Sequence, residues 1–423
     1  GSEMCIRDRY NGSDYVLDGE GLLFSILPWW ERDSIVALEN LKPYNGKYKI
    51  KITEELDETS YLDKISLMVV EHSDGVKVYP DFYNNLHTIK EPIQPIYAID
   101  SDGNDCMNLM KKDDIYWLPM PDFEKLRDED GDGIIDDYNE SDFYKWLVLE
   151  YPKPENATHA KLLCRLKEGR FGTVGIWGGF LKRLGRNNLN ILEENYSQQL
   201  LQWVISQMMR IEIWNGSSWL EQHRAAEAAA STKGNNMVIL LNLTGINTST
   251  LKIRFRSIAG VQGVDYAWID YSEDEPINVT EIAPSQLIGG DIEKILNDDG
   301  NYLIINKGDE FYVEFPEIES DKSLTFLIHD NGYYLHNFNT YVEYTQQLDE
   351  WLNEIFGNEL YAARYFMPKF YSSYYEGHHT IYTDYVKVDI NGVENLNTGE
   401  WYDTIQAAIE NASDGDTIKV YPG

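Results

Sequence analysis

Apolar and polar residues alternate over short stretches through most of the chain. Tyr48-Lys49-Ile50-Lys51-Ile52 and Ile65-Ser66-Leu67-Met68-Val69-Val70 both read as strands. Asn45-Gly46 and Ser73-Asp74-Gly75 supply turn chemistry beside them. Residues 54–63 between the two runs read as a polar connection anchored by two apolar side chains. Further strands are predicted at 146–151, 160–166, 209–214, 237–243, 251–257 and 266–271. Residues 172–179 are rich in glycine, but Phe171, Val174, Ile176 and Trp177 make them strand and turn, not a phosphate cradle.

Helical spacing occurs in three places. Over 189–207 it involves Ile191, Leu200, Trp203 and Val204, followed by Met208. Over 346–356 it involves Leu348, Trp351, Leu352 and Ile355, with Gly357 placed to end the helix. Near the end, Ile405, Ala408, Ile409 and Ala412 share one helical face, and Asp403 is placed to cap it. Residues 358–385, dense in tyrosine and phenylalanine without a period, predict a packed strap between modules.

One internal repeat stands out. Gly103-Asn104-Asp105-Cys106, Leu109 and Asp113-Asp114-Ile115-Tyr116 match Gly289-Gly290-Asp291-Ile292, Ile295 and Asp298-Asp299-Gly300-Asn301-Tyr302. Each copy then reaches a similar strand ending, Leu149-Glu150-Tyr151-Pro152 and Val313-Glu314-Phe315-Pro316. Each is followed by an apolar strand, Leu162-Leu163-Cys164 and Phe326-Leu327-Ile328. Residues 276–345 thus read as a repeat of 94–166, or as convergent turn-and-strand wording. The first copy is longer by an acidic insertion.

Composition narrows the class of protein. The 423 residues suffice for about two to four domains, and 43% hydrophobic content marks them as folded. A formal charge of −35 argues against nucleic-acid binding, which needs a basic footprint. No run is long and apolar enough for membrane insertion. Three cysteines imply no disulfide framework. Nine Asn-x-Ser/Thr triplets tilt the reading toward an exported protein, although an asparagine-rich chain also collects them by chance. Asn156, Asn215, Asn242 and Asn278 are the candidate glycosylation sites among them.

The acidic insertion carries the clearest ligand pattern. Carboxylates at Asp128, Asp130 and Asp132 alternate, so they can converge on one hard cation. Gly133 permits a sharp turn, Ile134 offers its backbone carbonyl, and Asp136 or Asp137 is placed to close a Ca²⁺ site. The twelfth place of an EF-hand wants a bidentate glutamate, and Asn139 stands there. The loop resembles thrombospondin-type and dockerin-like loops, which tolerate such departures; a solvated acidic loop without metal is the other reading. His378-His379 are adjacent and would diverge on a strand, which suits a structural role better than ligation. Trp214, Trp219 and Trp268 are candidates for stacking on sugar rings, against the plainer reading that they pack into the fold. No nucleophile elbow, Walker loop or dinucleotide fingerprint occurs, so an enzyme is left uncertain, with no catalytic residues assigned.

Three resemblances complete the picture. The helix at 403–412, the turn Ser413-Asp414-Gly415-Asp416, the strand Thr417-Ile418-Lys419-Val420-Tyr421 and Pro422-Gly423 resemble the N-terminal cap and first strand of pectin-lyase-like and NosD-like right-handed β-helices. That resemblance implies a covering helix and a strand whose next rung lies beyond residue 423. Ile211-Glu212-Ile213-Trp214-Asn215-Gly216 and Tyr266-Ala267-Trp268-Ile269 resemble galactose-binding-like β-sandwich modules, which implies a jelly roll. Ser2-Glu3-Met4-Cys5-Ile6-Arg7-Asp8-Arg9 resembles translated sequencing adapter, the alternative being a natural polar tail.

The expected fold is mainly β: multi-domain β-sandwich modules with small helical insertions, followed by the start of a right-handed β-helix. The expected division sets 1–9 aside as a non-native tail. An N-terminal β domain with the acidic loop follows at 10–144, and a jelly-roll-like sandwich with a helical insertion at 145–275. A small β module occupies 276–345, a helix and aromatic connector 346–385, and a truncated β-helix cap 386–423. The expected role is a non-catalytic architectural or adhesive region of a secreted or cell-surface protein, its partners polysaccharide or other surface proteins. A substrate-positioning part of a β-helical polysaccharide lyase or glycoside hydrolase, and a carbohydrate-binding module, are the alternatives.

Calcium binding has a direct check. Millimolar calcium should raise the melting temperature of chelator-treated protein, because extracellular calcium modules bind at about 10⁻⁴–10⁻³ M. Magnesium should do so much less, and Asp130→Ala should remove most of the effect. Calorimetric titration without heat at several millimolar calcium would leave the loop a solvated insertion.

Overall fold

The computed structural model describes residues 4–10, 15–17, 21–22, 28, 32–38, 41–54, 58–112, 117–118, 143–169, 171–225, 234–370, 393–395, 400–402 and 418–420. Strands form where the chain alternates. The first are Met4–Tyr10 (β1), Tyr15–Leu17 (β2), Gly21–Leu22 (β3), Arg32–Leu38 (β4), Lys47–Glu54 (β5) and Glu58–His72 (β6). A hairpin of Lys77–Pro80 (β7) and Leu86–Ile89 (β8) leads to Tyr97–Asp100 (β9), Tyr144–Pro152 (β10) and His159–Glu168 (β11). A π-helical segment, Phe171–Gly178, then runs into helices Gly179–Leu184 (α1) and Asn188–Gln207 (α2).

The second part of the chain returns to strands. These are Arg210–Trp214 (β12), Trp219–Arg224 (β13), Asn235–Asn242 (β14), Thr250–Ile258 (β15) and Gln262–Asp270 (β16). Asn278–Ile282 (β17), Gln286–Ile288 (β18), Leu303–Asn306 (β19), Glu310–Pro316 (β20) and Ser323–His336 (β21) follow. Two helices, Gln346–Gly357 (α3) and Tyr361–Phe370 (α4), come next. Val393–Asn395 (β22), Glu400–Tyr402 (β23) and Ile418–Val420 (β24) form a small sheet of their own.

The larger sheets make two sandwiches, and all their pairings are antiparallel. In the first sandwich an outer sheet, β13-β12-β15-β10-β9, faces an inner sheet, β14-β11-β16. Leu147, Leu149, Phe255 and Ile253 from one sheet meet Leu162, Cys164, Ile239 and Ile269 from the other. The second sandwich has an outer sheet, β18-β20-β5-β1-β2, and an inner sheet, β17-β6-β21-β4, with β19 also on β6. Tyr48, Ile50, Ile52, Leu67, Val69 and Phe315 fill its core. The two inner sheets pack on each other through Leu163, Val238 and Tyr266 on one side and Ala37, Val70 and Leu327 on the other. The helices share a further aromatic core with the end of the first sandwich.

The pairing cuts across the linear division expected from sequence. Residues 278–336 do not form a module of their own: β21 pairs with β6 from His336↔Glu58 to Ser323↔His72, and with β4 on its other edge. The second sandwich is therefore assembled from two distant parts of the chain. β1 (Met4–Tyr10), all but its last residue expected to lie outside the fold, runs along an edge of β5 with Ile6 opposite Ile52. An unpaired edge of a sheet is a template for any extended segment that reaches it.

Four local expectations change. Residues 58–63 are strand, not connection, because their buried polar side chains find partners far away in sequence: Glu58 with His336 at 2.7 Å and Asp63 with the Gly300 amide at 2.9 Å. The glycine-rich stretch at 172–179 is helical. Its glycines permit close approach rather than turning, since a Cβ on Gly179 would lie 2.8 Å from the Phe366 ring. Within the aromatic strap, 361–370 is helix α4, with Ala362, Ala363, Phe366, Met367 and Phe370 buried on one stripe. At the C-terminus, Ile418–Val420 pairs antiparallel with Val393–Asn395, so the strand expected to await a rung has a partner in the chain. The helix expected at 403–412 lies outside the described residues.

The contact between the inner sheets predicts a stability pattern. Leu163 and Leu327 are buried to 2% and 0% exposure at its centre, whereas Leu240 is 54% exposed. Leu163→Ala and Leu327→Ala should each cost about 2–5 kcal/mol in denaturant unfolding. Leu240→Ala should stay within about 0.5 kcal/mol of the parent.

Candidate functional site

The three candidate stacking tryptophans do not form one platform. Trp214 and Trp219 flank the β12–β13 turn with ring centroids 5.4 Å apart, and the Arg254 guanidinium lies 4.6 Å over Trp219. The turn itself is fixed by Asn215, whose Oδ1 accepts from the amides of Ser217 and Ser218, both at 2.8 Å. Trp268 lies apart on β16, in the inner sheet. It packs at 4.5 Å against Tyr266, and its Nε1 donates to the Met110 carbonyl at 3.3 Å. Trp268 is half-buried against the contact between the inner sheets, so of the three only Trp214 and Trp219 lie side by side.

Among the candidate glycosylation sites, Asn156, Asn242 and Asn278 are exposed and Asn215 is half-buried. The Ca²⁺ set of Asp128, Asp130, Asp132, Ile134 and Asp136 lies outside the described residues, as does the pair His378-His379.

The densest polar cluster is one that sequence reasoning missed. His87 on β8 sits between two carboxylates, Nδ1 2.8 Å from Asp274 and Nε2 3.3 Å from Asp81. Asp274 also accepts from the Thr88 amide at 2.8 Å and from the Lys161 ammonium at 3.1 Å. Lys161, only 4% exposed, further donates to the Thr88 carbonyl. Asp270 accepts from the Lys90 amide at 2.7 Å. The cluster ties the β7–β8 hairpin to β11 and to the segment leaving β16. Its members lie up to 193 positions apart (Asp81 to Asp274), and no local spacing announces them.

This constellation contains the side chains of acid–base catalysis, and each is hydrogen-bonded to its neighbours. The Thr88 hydroxyl donates to Asp274 at 3.2 Å and accepts from the Glu275 amide at 2.8 Å. Asp81 takes amide bonds from Tyr83 and Asn85, each at 2.8 Å. Burial opposes the charge on Asp274, but hydrogen bonds from His87 and Thr88 and the Lys161 ammonium outweigh it and hold its carboxyl below the ordinary aspartate value. Asp81 and Asp270 are lowered in the same way, burial again being overcome by hydrogen bonds from Asn85 and His87 and from Ser272 and Lys90. Such a network fixes the position of three chain segments.

A second cluster lies across the second inner sheet. Glu281 on β17 accepts from Ser66 at 2.5 Å, from His329 at 3.0 Å, and pairs with Lys64 at 3.2 Å. Burial again disfavours the charge, yet these partners take the carboxyl down to about 2. Elsewhere, an apolar cavity of about 40 Å³ between α2 and the end of the first sandwich is lined by Trp177, Trp203, Val204 and Met208. It is far smaller than the volume of a drug-sized ligand site.

These carboxylates set a pH dependence. Glu281 has a folded value of about 2 against an ordinary 4.5, so its stabilisation is complete above pH 4.5 and is lost as pH falls toward 2. Asp81, Asp270 and Asp274 act in the same direction. Glu281→Gln should therefore melt below the parent at pH 7, and the gap should close as the pH falls toward 2. A gap that stays constant across that range in thermal melts would show that Glu281 does not titrate as its surroundings dictate.

No protein-family model matches the chain. No curated protein matches it either. Two solved structures are similar in part. One belongs to work on the triple jelly roll fold and turret assembly in an archaeal virus, with 8% identity over 74% of this chain and 91% of that one, at a TM-score of 0.16. The other is from the atomic structure of Sulfolobus Turreted Icosahedral Virus, with 8% identity over 73% and 91% and a TM-score of 0.15. Likeness at that level carries no argument about this chain.

Proposed function

We propose that this chain is a non-catalytic architectural or adhesive region of a secreted or cell-surface protein, with calcium stiffening the loop at 128–136. The observation that carries the reading is how its polar clusters are used. His87, Lys161 and the aspartates around them are committed to one another and to backbone amides, and they pin strands from different parts of the chain together. Strands from distant segments share both sandwiches, which suits a module that transmits load rather than one that opens around a substrate. The high negative charge keeps such a surface solvated. Among the described residues, no helix is long and apolar enough to cross a membrane.

The carbohydrate-binding reading draws support from one feature, the half-buried Trp214–Trp219 pair with Arg254 over it. Aromatic faces at a hairpin tip can stack on the C–H face of a sugar.

Single-molecule pulling from the two ends should release both sandwiches in one cooperative event. Incubation with acidic and neutral polysaccharides should liberate no reducing ends. Enzyme-dependent appearance of reducing ends or unsaturated products would overturn the non-catalytic reading. Retention on a polysaccharide that disappears in Trp219→Ala would instead favour the carbohydrate-binding module.

A further inference from the structure

The two sandwiches repeat one set of pairings with the roles of the chain's halves exchanged. In the first, β10 pairs with β9 and β15, and β11 pairs with β14 and β16. In the second, β20 pairs with β18 and β5, and β21 pairs with β4 and β6. In chain order, β4, β5, β6, β9, β10 and β11 correspond to β14, β15, β16, β18, β20 and β21. The first three strands of each set pair with the last two of the other.

The registers agree residue by residue. Pro152, Tyr151 and Glu150 face Thr250, Leu251 and Lys252, while Pro316, Phe315 and Glu314 face Lys47, Tyr48 and Lys49. Each glutamate pairs with the lysine opposite it, Glu150 with Lys252 at 2.6 Å and Glu314 with Lys49 at 3.0 Å, and Glu314 pairs with Lys47 as well. Leu163 lies between Val238 and Trp268, and Leu327 between Ala37 and Met68. Each leucine stands eleven residues after its proline. The turns match as well. Gly103 and Gly289 have φ of 87° and 98°, and two residues on, Asp105 and Asp291 accept from the amides of Met107 and Glu293 at 2.9 and 3.2 Å. Helices follow the last strand of each set, and both helical segments enter one core.

We propose that residues 32–168 and 235–336 are two copies of one unit, and that the surface each copy presents for strand pairing is built to take a second copy of itself. One such unit leaves its β5-like and β10-like strands each with an edge for the other copy; the reciprocal exchange pairs β5 with β20 and β15 with β10, while β1 and β12 cover the remaining edges of β5 and β15. This does not rest on the architectural reading above.

Charge reversal in the full chain tests the exchange. Glu150→Lys places two lysines opposite each other and should lower the melting temperature by about 2 °C or more. Lys252→Glu should restore it and Lys49→Glu should not; Glu314→Lys should be restored by Lys49→Glu and not by Lys252→Glu. Restoration in the opposite pattern would mean that each copy pairs with itself, and restoration by neither would mean that the copies share no register. Either overturns the proposal. Should the single reversals cost nothing, zero-length carbodiimide coupling of the unaltered chain decides. Isopeptides joining Glu150 to Lys252 and Glu314 to β5 lysines support the exchange, and isopeptides joining Glu150 to Lys49, or neither pair coupled, refute it.

Discussion

Two sheets in this protein bury both of their faces, and the rest of the architecture follows from that. β11 and β21 each lie between a sandwich core and the contact between the sandwiches, so their alternate residues cannot alternate in polarity. Leu162 and Cys164 point to one core while Leu163 points to the other contact, and Phe326, Ile328 and Leu327 do the same. Apolar surface on both faces drives the stacking without fixing direction or register. Direction comes from the strand edges, whose amides and carbonyls must be paired once water is excluded. The edges of β11 and β21 are filled by strands arriving from far along the chain.

Polar groups are correspondingly concentrated where segments of different origin meet. Asp274 gathers His87, Thr88 and Lys161, and Glu281 gathers Ser66, Lys64 and His329. A carboxylate is suited to this role because it accepts several hydrogen bonds at once, and each one strengthens its charge against the cost of burial. Outside the inner layers, lysines on β5 and β15 meet glutamates on β20 and β10. The acidic excess of the chain thus includes carboxylates that hold its strands in place as well as those that only face solvent.

This arrangement bears on function by limiting what can move. The groups around His87 are held from several sides. At the surface, the Trp214–Trp219 pair is half-buried and the asparagines at 156, 242 and 278 are exposed.

The sequence by itself determined the local elements wherever side-chain period and environment agree. Tyr48–Ile52 alternates because one face of β5 meets a core, and the stripe of Leu348, Trp351, Leu352 and Ile355 marks α3 for the same reason. Half of the internal repeat was legible too, in Glu150-Tyr151-Pro152 and Glu314-Phe315-Pro316, since equivalent strands face equivalent neighbours. Elements whose pattern answers to distant partners were not legible. Glu58 and Asp63 look like loop residues until His336 and Gly300 arrive, and the glycines near 175 look like turns until α4 packs on them. The tertiary structure alone decided that 278–336 completes 32–72, that Trp268 belongs to an inner sheet, and that His87 meets Asp274. Pairing between strands depends on backbone edges that are chemically alike throughout the chain, so only the assembled fold selects which edges meet.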